Sequence, residues 1–237
     1  MIHFITFGNT PKYSILAEML AEEARTSQYF DTVTVFNEKD IPSQYREFIA
    51  SHSKGYGYWI WKTIFILETM EKYFISPDDI IVYADCACGI SVTEAARINF
   101  KKWIVDLRNQ SPHRIGFQMS HLAETWTKAD LFTFLECTDE KYTQTGQHIG
   151  TIQLYLNTLE NQAFLKEYLL IMTTDNYHYL TDEPSRIPNP ASFKEHRHDQ
   201  AILSLLFKKY GVICYPDHWN SSDFPIMALR RRGNIQW

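Results

Sequence analysis

Long apolar runs are missing from the sequence, which argues against an integral membrane protein. The richest stretch, residues 58–70, is interrupted by Lys62 and Glu68, whereas a helix that crosses a bilayer needs about 20 predominantly apolar residues. The strand-like run at residues 2–7 lacks the basic lead-in of a secretory signal. We therefore expect a cytoplasmic protein.

Clustered cysteines and a surplus of positive charge are also absent. The four cysteines do not form the two close pairs of a metal-binding array, which is typical of a reduced intracellular protein. A net charge of -5 argues against a dedicated nucleic-acid-binding protein. The one local exception is residues 230–232, three arginines that form either a solvated tail or a contact to phosphate.

Glycine and proline are scarce, with nine of each among 237 residues, and this excludes collagen-like and linker-rich chains. Aromatic residues instead make up 15% of the chain and can line a core and pockets. A chain of this size buries about 70% of its unfolded surface on folding. We expect one domain spanning residues 1–237.

Alternating strand-like and helix-like segments predict an α/β fold. A strand at 2–7, a helix at 12–25 and a strand at 32–36 form a βαβ unit, which implies parallel pairing. The β-branched run 80–84 is expected to be a central strand. Further helices are expected at 42–53, 61–73, 93–109, 124–135, 160–174 and 199–209, and further strands at 114–119, 146–155 and 212–215.

Asp85 directly follows the predicted central strand, where open parallel sheets bind ligands. A carboxylate followed by the small Ala87 and Gly89 suits a divalent cation that in turn holds a diphosphate. An aspartate after a strand is also a common turn residue. This feature alone leaves both interpretations open.

The order of several motifs resembles the GT-A fold of nucleotide-sugar glycosyltransferases, and more closely the small bacterial and viral members in which a Trp-Lys helix precedes a Tyr-x-Asp-Ala-Gly-like strand end. The motifs are Thr6-Phe7-Gly8, Asn37, Gly57-Tyr58-Trp59-x-Trp61-Lys62, the strand ending at Asp85, and His198-Asp199-Gln200. The resemblance spans roughly residues 2–215. It implies a Rossmann-type, mostly parallel central sheet flanked by helices, with the nucleotide bound by about 1–110 and the acceptor by about 111–237.

The resemblance also implies the residues that contact the donor. These are Thr6, Phe7, Gly8, Asn37, Tyr58, Lys62 and Asp85. Tyr56 or Tyr58 would stack on the base or remain an ordinary core or loop aromatic. Lys62 would neutralise the diphosphate, with a solvent-exposed lysine as the alternative.

The metal motif of that family is Asp-x-Asp, and this sequence departs from it, because Asp85-Cys86-Ala87 lacks the second carboxylate. A cation could be held by Asp85 with His218, or by Asp85 with water and phosphate. A third alternative is a metal-free site in which Lys62 and a C-terminal arginine stabilise the leaving group. We expect a divalent ion, Mn or Mg, at Asp85 and His218.

Asp199 and Gln200, at the start of a late helix, are the candidate catalytic residues. Asp199 could accept a proton from the attacking hydroxyl or orient the sugar, and it could also simply cap the helix. The helix N-terminus is expected to lower the pKa of Asp199. The acceptor-binding residues implied by the resemblance are Trp126, Gln147, His148 and Gly150, although Trp126 could equally be buried in its helix.

The sequence thus predicts a glycosyltransferase of polysaccharide biosynthesis that moves a sugar from a nucleoside diphosphate, UDP in the first place, to a hydroxyl of a glycan, lipid-linked or other acceptor. Two alternatives stay open. A nucleotidyltransferase would need a glycine-rich basic loop, of which residues 8–12 are a poor version, and a glycan-binding or scaffold module could keep the fold without the chemistry. A dinucleotide oxidoreductase is excluded, since no Gly-x-Gly-x-x-Gly follows the first strand.

Overall fold

The computed structural model describes residues 1–72, 76–217 and 221–229. Its strands are β1 (Ile2–Phe7), β2 (Thr32–Phe36), β3 (Ile80–Ala84), β4 (Gly89–Ile90), β5 (Arg114–Leu122), β6 (Gly146–His148), β7 (Ile152–Leu156), β8 (Ile213–Pro216) and β9 (Ile226–Met227). Its helices are α1 (Pro11–Ser27), α2 (Ser43–Ser51), α3 (Gly55–Tyr58), α4 (Trp61–Lys72), α5 (Glu94–Asn109), α6 (Ala123–Trp126), α7 (Ala129–Phe134), α8 (Glu140–Thr143), α9 (Leu159–Tyr177) and α10 (His198–Tyr210). Within these ranges no helix combines the length and the apolar character needed to cross a bilayer.

Seven strands form the central sheet in the order β2-β1-β3-β7-β5-β6, with β8 paired to β5. β1 pairs in parallel with β2 and β3, and β5 pairs in parallel with β8. β7 runs antiparallel to β3 and β5, and β6 runs antiparallel to β5. Only β6 and β7 therefore oppose the common strand direction, and the predicted α/β class with a mostly parallel sheet is confirmed.

The register of the sheet gathers the carboxyl ends of β1, β2 and β3 at one edge, since Ile5 pairs with Tyr83 and Thr6 with Val35. β3 is buried along its whole length, as expected for a central strand in a sheet covered on both faces. Asp85 follows β3 at this edge, where its backbone N–H donates to the carbonyl of Thr151 over 2.9 Å. The start of β7 and the end of β3 thus lie side by side.

Helices bury both faces of the sheet. On one face α4 packs against β1 and β3, α10 packs against β6, and α9 packs against α4 and α10. The rings of Phe36 and Phe65 stack on this face at 4.3 Å between centroids. On the other face α1 and α5 cover the sheet, with Trp103 packed at 4.9 Å from Phe117. The aromatic supply noted in the sequence therefore fills two cores.

Two predicted elements are each interrupted. The strand expected at 146–155 is split into β6 and β7 by the turn at 149–151, where a Cβ on Gly150 would lie 3.3 Å from Oδ2 of Asp199. The helix expected at 124–135 is split into α6 and α7. There Lys128 is buried and its Nζ donates to the carbonyl oxygens of Thr181 and Glu183 at 3.4 and 3.2 Å. In both places contacts with distant segments override the local pattern.

Candidate active site

A cavity of about 500 Å³ opens at the carboxyl edge of β3. Its lining comes from the segment before α4, the turn after β3, the end of β5, the β6–β7 turn and residues 195–200. Ligands of open α/β sheets bind at this kind of edge. Among the residues that line the cavity are Lys62, Asp85 and Asp199.

Lys62, Asp85 and Asp199 form an ionic cluster at the floor of the cavity. The Nζ atom of Lys62 lies 3.1 Å from Oδ1 of Asp85 and 3.2 Å from Oδ2 of Asp199. It also donates to the carbonyl oxygen of Gly150 over 3.4 Å. The side chains of Lys62 and Asp199 are each 5% exposed and that of Asp85 is 27% exposed. Asp85 is therefore the member of the cluster that a ligand in the cavity reaches most easily.

One ammonium shared between two carboxylates sets the charge state of the cluster. Burial lowers the pKa of Lys62, but attraction by Asp199 and Asp85 outweighs it and the net pKa is raised, so Lys62 stays protonated. Burial raises the pKa of Asp199 to about 6; Lys62 lowers it and the nearby Asp85 charge raises it. The predicted lowering of this pKa by the helix terminus is therefore wrong, because desolvation of a carboxylate that shares its cation is the larger effect.

Oδ2 of Asp199 is buried and, within residues 1–72, 76–217 and 221–229, lacks a partner in hydrogen-bond geometry. The ammonium of Lys62 lies 3.2 Å from this oxygen. A buried polar atom without a hydrogen-bond partner is unusual in a folded protein, and a ligand hydroxyl can reach Oδ2 only if the groups that cover it move. Asp199 is the second residue of α10, whereas Arg197 occupies its N-cap position, so capping does not explain the placement of Asp199.

Tyr83 fixes the Asp85 carboxylate from the sheet side. The Tyr83 hydroxyl donates to Oδ1 of Asp85 over 2.5 Å. Burial, followed by the charge of Asp85, raises the pKa of Tyr83 well above its usual value, so the phenol remains a donor. The two residues are two positions apart across the end of β3, a spacing that places side chains on one face of a strand.

An unusual turn delivers Lys62. Residues 55–59 all have positive φ, although Tyr56, Tyr58 and Trp59 are not glycines, and each such residue costs roughly 1–2 kcal/mol. Gly57, at φ +81°, is required by packing as well, because a Cβ there would lie 2.6 Å from Cγ1 of Ile49. The Trp61 indole N–H closes the turn by donating to the carbonyl of Gly55 over 3.1 Å. This compact turn starts α4 with Lys62 aimed at the sheet edge.

Asp182 ties that turn to the start of α10. It accepts hydrogen bonds from Nζ of Lys54 at 2.9 Å and from the Tyr58 hydroxyl at 3.1 Å, and Nε2 of His198 lies 3.6 Å away. Nδ1 of His198 donates to the carbonyl of Leu180 over 2.9 Å. Burial lowers the pKa of His198 to about 4, so this ring is neutral at pH 7 and serves as a structural link next to Asp199.

A chain of amides holds Gln200 beside the cluster. Nε2 of Gln200 donates to Oε1 of Gln147 over 2.9 Å, and Oε1 of Gln200 accepts the backbone N–H of Gly150 at 3.2 Å. Nε2 of Gln147 in turn donates to the hydroxyl of Thr127 over 2.9 Å. Gln200 is thus fixed at both ends of its amide, facing the cavity with Asp199.

Trp126 lies on the rim of the cavity, half-buried, with the guanidinium carbon of Arg197 4.5 Å from its ring centroid. Arg197 also pairs with Glu195 at 2.8 Å. Nζ of Lys194 also lies 5.6 Å from the ring centroid of Trp126, so two cations flank this indole.

Several predicted site residues meet at the cavity. These are the predicted donor contacts Lys62 and Asp85, the predicted catalytic residues Asp199 and Gln200, and the predicted acceptor contacts Trp126, Gln147 and Gly150. His148 points to the opposite side of β6, where its backbone N–H donates to Ser204 over 3.0 Å and its ring packs on Phe207. Alternation along a strand explains this, since Gln147 faces the cavity. Burial lowers the pKa of His148 to about 4.

The other predicted nucleotide contacts lie at the same sheet edge but do not line the cavity. The Thr6 hydroxyl donates to the carbonyl of Ala84 over 2.8 Å, and Phe7 packs on Trp61 at 4.2 Å. Gly8 donates its N–H to the carbonyl of Phe36, and Asn37 caps the 3-10 turn Glu38–Asp40. Tyr58 is engaged with Asp182, as described above. Contact of these five residues with a nucleotide stays a prediction, and the predicted metal ligand His218 lies outside the described residues.

Sequence reasoning missed Tyr83, Asp182 and Arg197. Tyr83 had a usable signal, because a residue two positions before Asp85 on a strand shares its face. Asp182 and Arg197 lie in the irregular segment between α9 and α10, where no hydrophobic period predicts which side chains turn inward.

The described residues do not fit the expected divalent ion. No group of three His, Cys, Asp or Glu side chains is placed to hold a metal in the part of the chain that the structure describes. The position between the two carboxylates is taken by the Lys62 ammonium. Ala87 stands at the position of the second aspartate and has no side-chain group that could ligate a metal.

Several solved structures are similar to this chain in fold. Mouse xyloside xylosyltransferase 1 matches with 10% identity and a TM-score of 0.47, covering 91% of this chain and 85% of its own. The galactosyltransferase LgtC, in complex with donor and acceptor sugar analogues, matches with 13% identity and a TM-score of 0.47, covering 89% of this chain and 72% of its own. A glycosyltransferase involved in glycosylation of the major capsid of PBCV-1 matches with 11% identity and a TM-score of 0.39, covering 82% and 81%.

Comparison by sequence gave nothing further. No protein-family model matches the chain. No curated protein matches it either.

Proposed function

We propose that this chain is a glycosyltransferase that moves a sugar from a nucleoside diphosphate donor to a hydroxyl of an acceptor. The observation that carries the proposal is the buried Lys62 held between Asp85 and Asp199 at the floor of a cavity on the carboxyl edge of the sheet. In sugar transfer a cation can stabilise the leaving diphosphate, and a carboxylate can accept the proton of the attacking hydroxyl. This cluster offers both within a few ångströms.

In the proposed reaction the acceptor oxygen forms a bond to the anomeric carbon. The bond from that carbon to the diphosphate oxygen breaks, and its electron pair leaves with the diphosphate. Lys62 stabilises the charge that develops on the leaving group. Asp199 takes the proton of the acceptor hydroxyl as the bond to the anomeric carbon forms.

Asp199 has a charge state suited to this role. With its pKa raised to about 6 by burial, it is mostly ionised at pH 7 and is a stronger base than an ordinary aspartate. Gln200, fixed by Gln147 and Gly150, presents its amide to the same space and would orient the sugar. Trp126 would contact the acceptor from the rim, whereas the fully buried Gln147 would act through Gln200.

The loop after β1 argues against the nucleotidyltransferase alternative. The N–H of Gly8 donates to the carbonyl of Phe36 over 3.1 Å, and a Cβ on Gly8 would lie 2.3 Å from the carbonyl oxygen of Tyr13. A phosphate-binding loop needs backbone N–H groups open to the ligand, whereas this one is already engaged with β2.

A thermal-shift screen of UDP, GDP, CMP and ATP tests donor binding, followed by an assay for hydrolysis or transfer with UDP-sugars. We expect UDP to raise the melting temperature and Asp85→Asn to remove the increase. Asp139→Asn, at an exposed side chain, is the matched control. No response to any of the four nucleotides would refute the donor and favour a glycan-binding module, and binding without turnover would indicate a module that has lost its chemistry.

A further inference from the structure

We infer that Lys62 is the resident cation of this site, occupying the position between Asp85 and Asp199 that a divalent ion would take, so that the diphosphate donor binds without a divalent metal. The inference rests on the proposed function for the identity of the donor. The claim about metal binding concerns only the described residues, and it can be tested without a substrate.

The surroundings of the Lys62 ammonium are those of a cation site. Its Nζ atom is within 3.4 Å of both Asp85 oxygens, 3.2 Å from Oδ2 of Asp199 and 3.4 Å from the carbonyl oxygen of Gly150. Carboxylate and carbonyl oxygens converging from three segments are the ligand set that Mg²⁺ and Mn²⁺ prefer. Here an ammonium with three N–H donors fills the centre of that set.

Lys62 is held in this position on every side that the structure describes. Its side chain is 5% exposed, and the rings of Trp59, Trp61 and Tyr83 each have their centroid 5.9 Å from Nζ. Aromatic rings favour a cation nearby and disfavour its replacement by water. A lysine packed in this way cannot swing out to admit a metal ion without opening the aromatic core.

A divalent ion would also meet direct repulsion. Metal–oxygen distances of about 2.0–2.6 Å would place an ion bound between Asp85 and Asp199 close to the ammonium, where the two positive charges repel each other. The free oxygen of Asp199 lies 3.2 Å from the same ammonium. The two cations would therefore compete for the same carboxylates.

Lys62 also balances the charge of the cavity. Of the groups that line it, Lys54, Lys62 and Arg197 are cationic and Asp85, Glu195 and Asp199 are anionic, so the formal sum is zero with the histidines neutral. Removal of Lys62 would leave a net charge of -1 facing a diphosphate. The lysine thus does for the donor what the missing second carboxylate and its metal would otherwise do.

The test measures Mn²⁺ binding by the full chain after treatment with EDTA. Binding is detected by electron paramagnetic resonance and by titration calorimetry. Wild type is expected to show no saturable Mn²⁺ binding up to about 1 mM, and its affinity for UDP is expected to change by less than about twofold between EDTA and Mn²⁺. Lys62→Gln is expected to gain Mn²⁺ binding, seen also as a Mn²⁺-dependent rise in melting temperature. Adding Asp85→Asn should remove that gain.

Stoichiometric Mn²⁺ binding by wild type that is lost in Asp85→Asn would overturn the inference, as would a tenfold or greater rise in UDP affinity with Mn²⁺. A folded Lys62→Gln chain that binds no Mn²⁺ would also overturn it, because the position would then not be a cation site. If Lys62→Gln does not fold, the wild-type measurements decide alone. If no nucleotide binds under either condition, the proposed function fails, while the Mn²⁺ measurements still decide whether the lysine replaces a metal.

Discussion

Nζ of Lys62 lies 3.2 Å from Oδ2 of Asp199, although more than half of the chain separates the two residues. Each is the second residue of its helix, α4 and α10. A helix N-terminus favours a carboxylate and disfavours an ammonium, so Asp199 suits its position while Lys62 does not. The buried carboxylate of Asp199 and the partly exposed carboxylate of Asp85 compensate for this, and the cluster thereby links two helices that are far apart in the sequence.

Replacing Lys62 by methionine tests how strongly the fold depends on this cluster. Lys62→Met keeps the bulk of the side chain but leaves two carboxylates, one of them fully buried, without their cation. We expect the free energy of unfolding to fall by about 3–5 kcal/mol, measured by urea denaturation at pH 7. Lys101→Met, at an exposed site on α5, should change it by no more than about 0.5 kcal/mol. Similar small losses in both variants would show that the cluster contributes little.

The raised pKa of Asp199 predicts a pH dependence of stability with a definite sign. Burial raises this pKa to about 6 in the folded chain, against about 3.9 in the unfolded chain. The folded state therefore binds the proton more tightly between about pH 4 and pH 6, and stability falls as pH rises through this window. The free energy of unfolding falls by about 2–3 kcal/mol across this pH window, and the contribution of Asp199 does not change further at higher pH.

Asp199→Asn is the variant that checks this pH dependence, because an amide does not titrate. From pH 4 to pH 7, the free energy of unfolding of wild type should fall by about 2–3 kcal/mol relative to that of Asp199→Asn. If Asp199 accepts the proton in the reaction, the rate of transfer should rise through about pH 6 in wild type, and this limb should be missing in the variant. A difference in stability that stays constant with pH would contradict the burial-driven shift.

The fold was predictable to the extent that local patterns decided it. The apolar run 80–84 predicted a central strand, and burial of β3 on both faces is the reason that the pattern was clear. Boundaries failed where distant residues intervened. The long strand and the long helix predicted around residues 146–155 and 124–135 are broken by Asp199 packing on Gly150 and by the carbonyl groups that Lys128 binds.

The site was predictable as a set of chemical groups but not as an arrangement. Asp85 and Asp199 were identified from the order of motifs, and the cavity contains both. The sequence could not show that Lys62 lies between them, because that depends on the turn at 55–59, where three non-glycine residues adopt positive φ. Such conformations are imposed by tertiary packing, which a single sequence does not reveal. The same arrangement reversed the expected direction of the Asp199 pKa shift.

Gly57→Ala tests whether that turn positions Lys62. Alanine at position 57 would have to keep the positive φ of +81°, and its Cβ would lie 2.6 Å from Cγ1 of Ile49. We therefore expect a loss of stability of about 2–4 kcal/mol, the sum of backbone strain and overpacking. Gly211→Ala is a control for backbone strain without overpacking, because φ is +86° and ψ is 157° there and the nearest atom to the new Cβ is 3.8 Å away. This conformation is essentially limited to glycine, so the substitution should cost about 1–3 kcal/mol. UDP affinity should fall in the first variant and not in the second, and equal effects in both would contradict a packing role for Gly57.

Gln147→Leu tests the amide chain that fixes Gln200. The substitution keeps side-chain volume but removes the acceptor of the 2.9 Å bond from Nε2 of Gln200 and the donor to Thr127. Because a displacement of about 1 Å in a positioning group can cost up to about 10²-fold in rate, we expect kcat for sugar transfer to fall by about 10- to 100-fold. The affinity for UDP should be unchanged, since Gln147 acts on the reacting end of the donor through Gln200. Gln110→Leu, at the exposed end of α5, should leave both quantities unchanged. A loss of UDP affinity in Gln147→Leu equal to the loss in kcat would instead place this side chain in the nucleotide subsite.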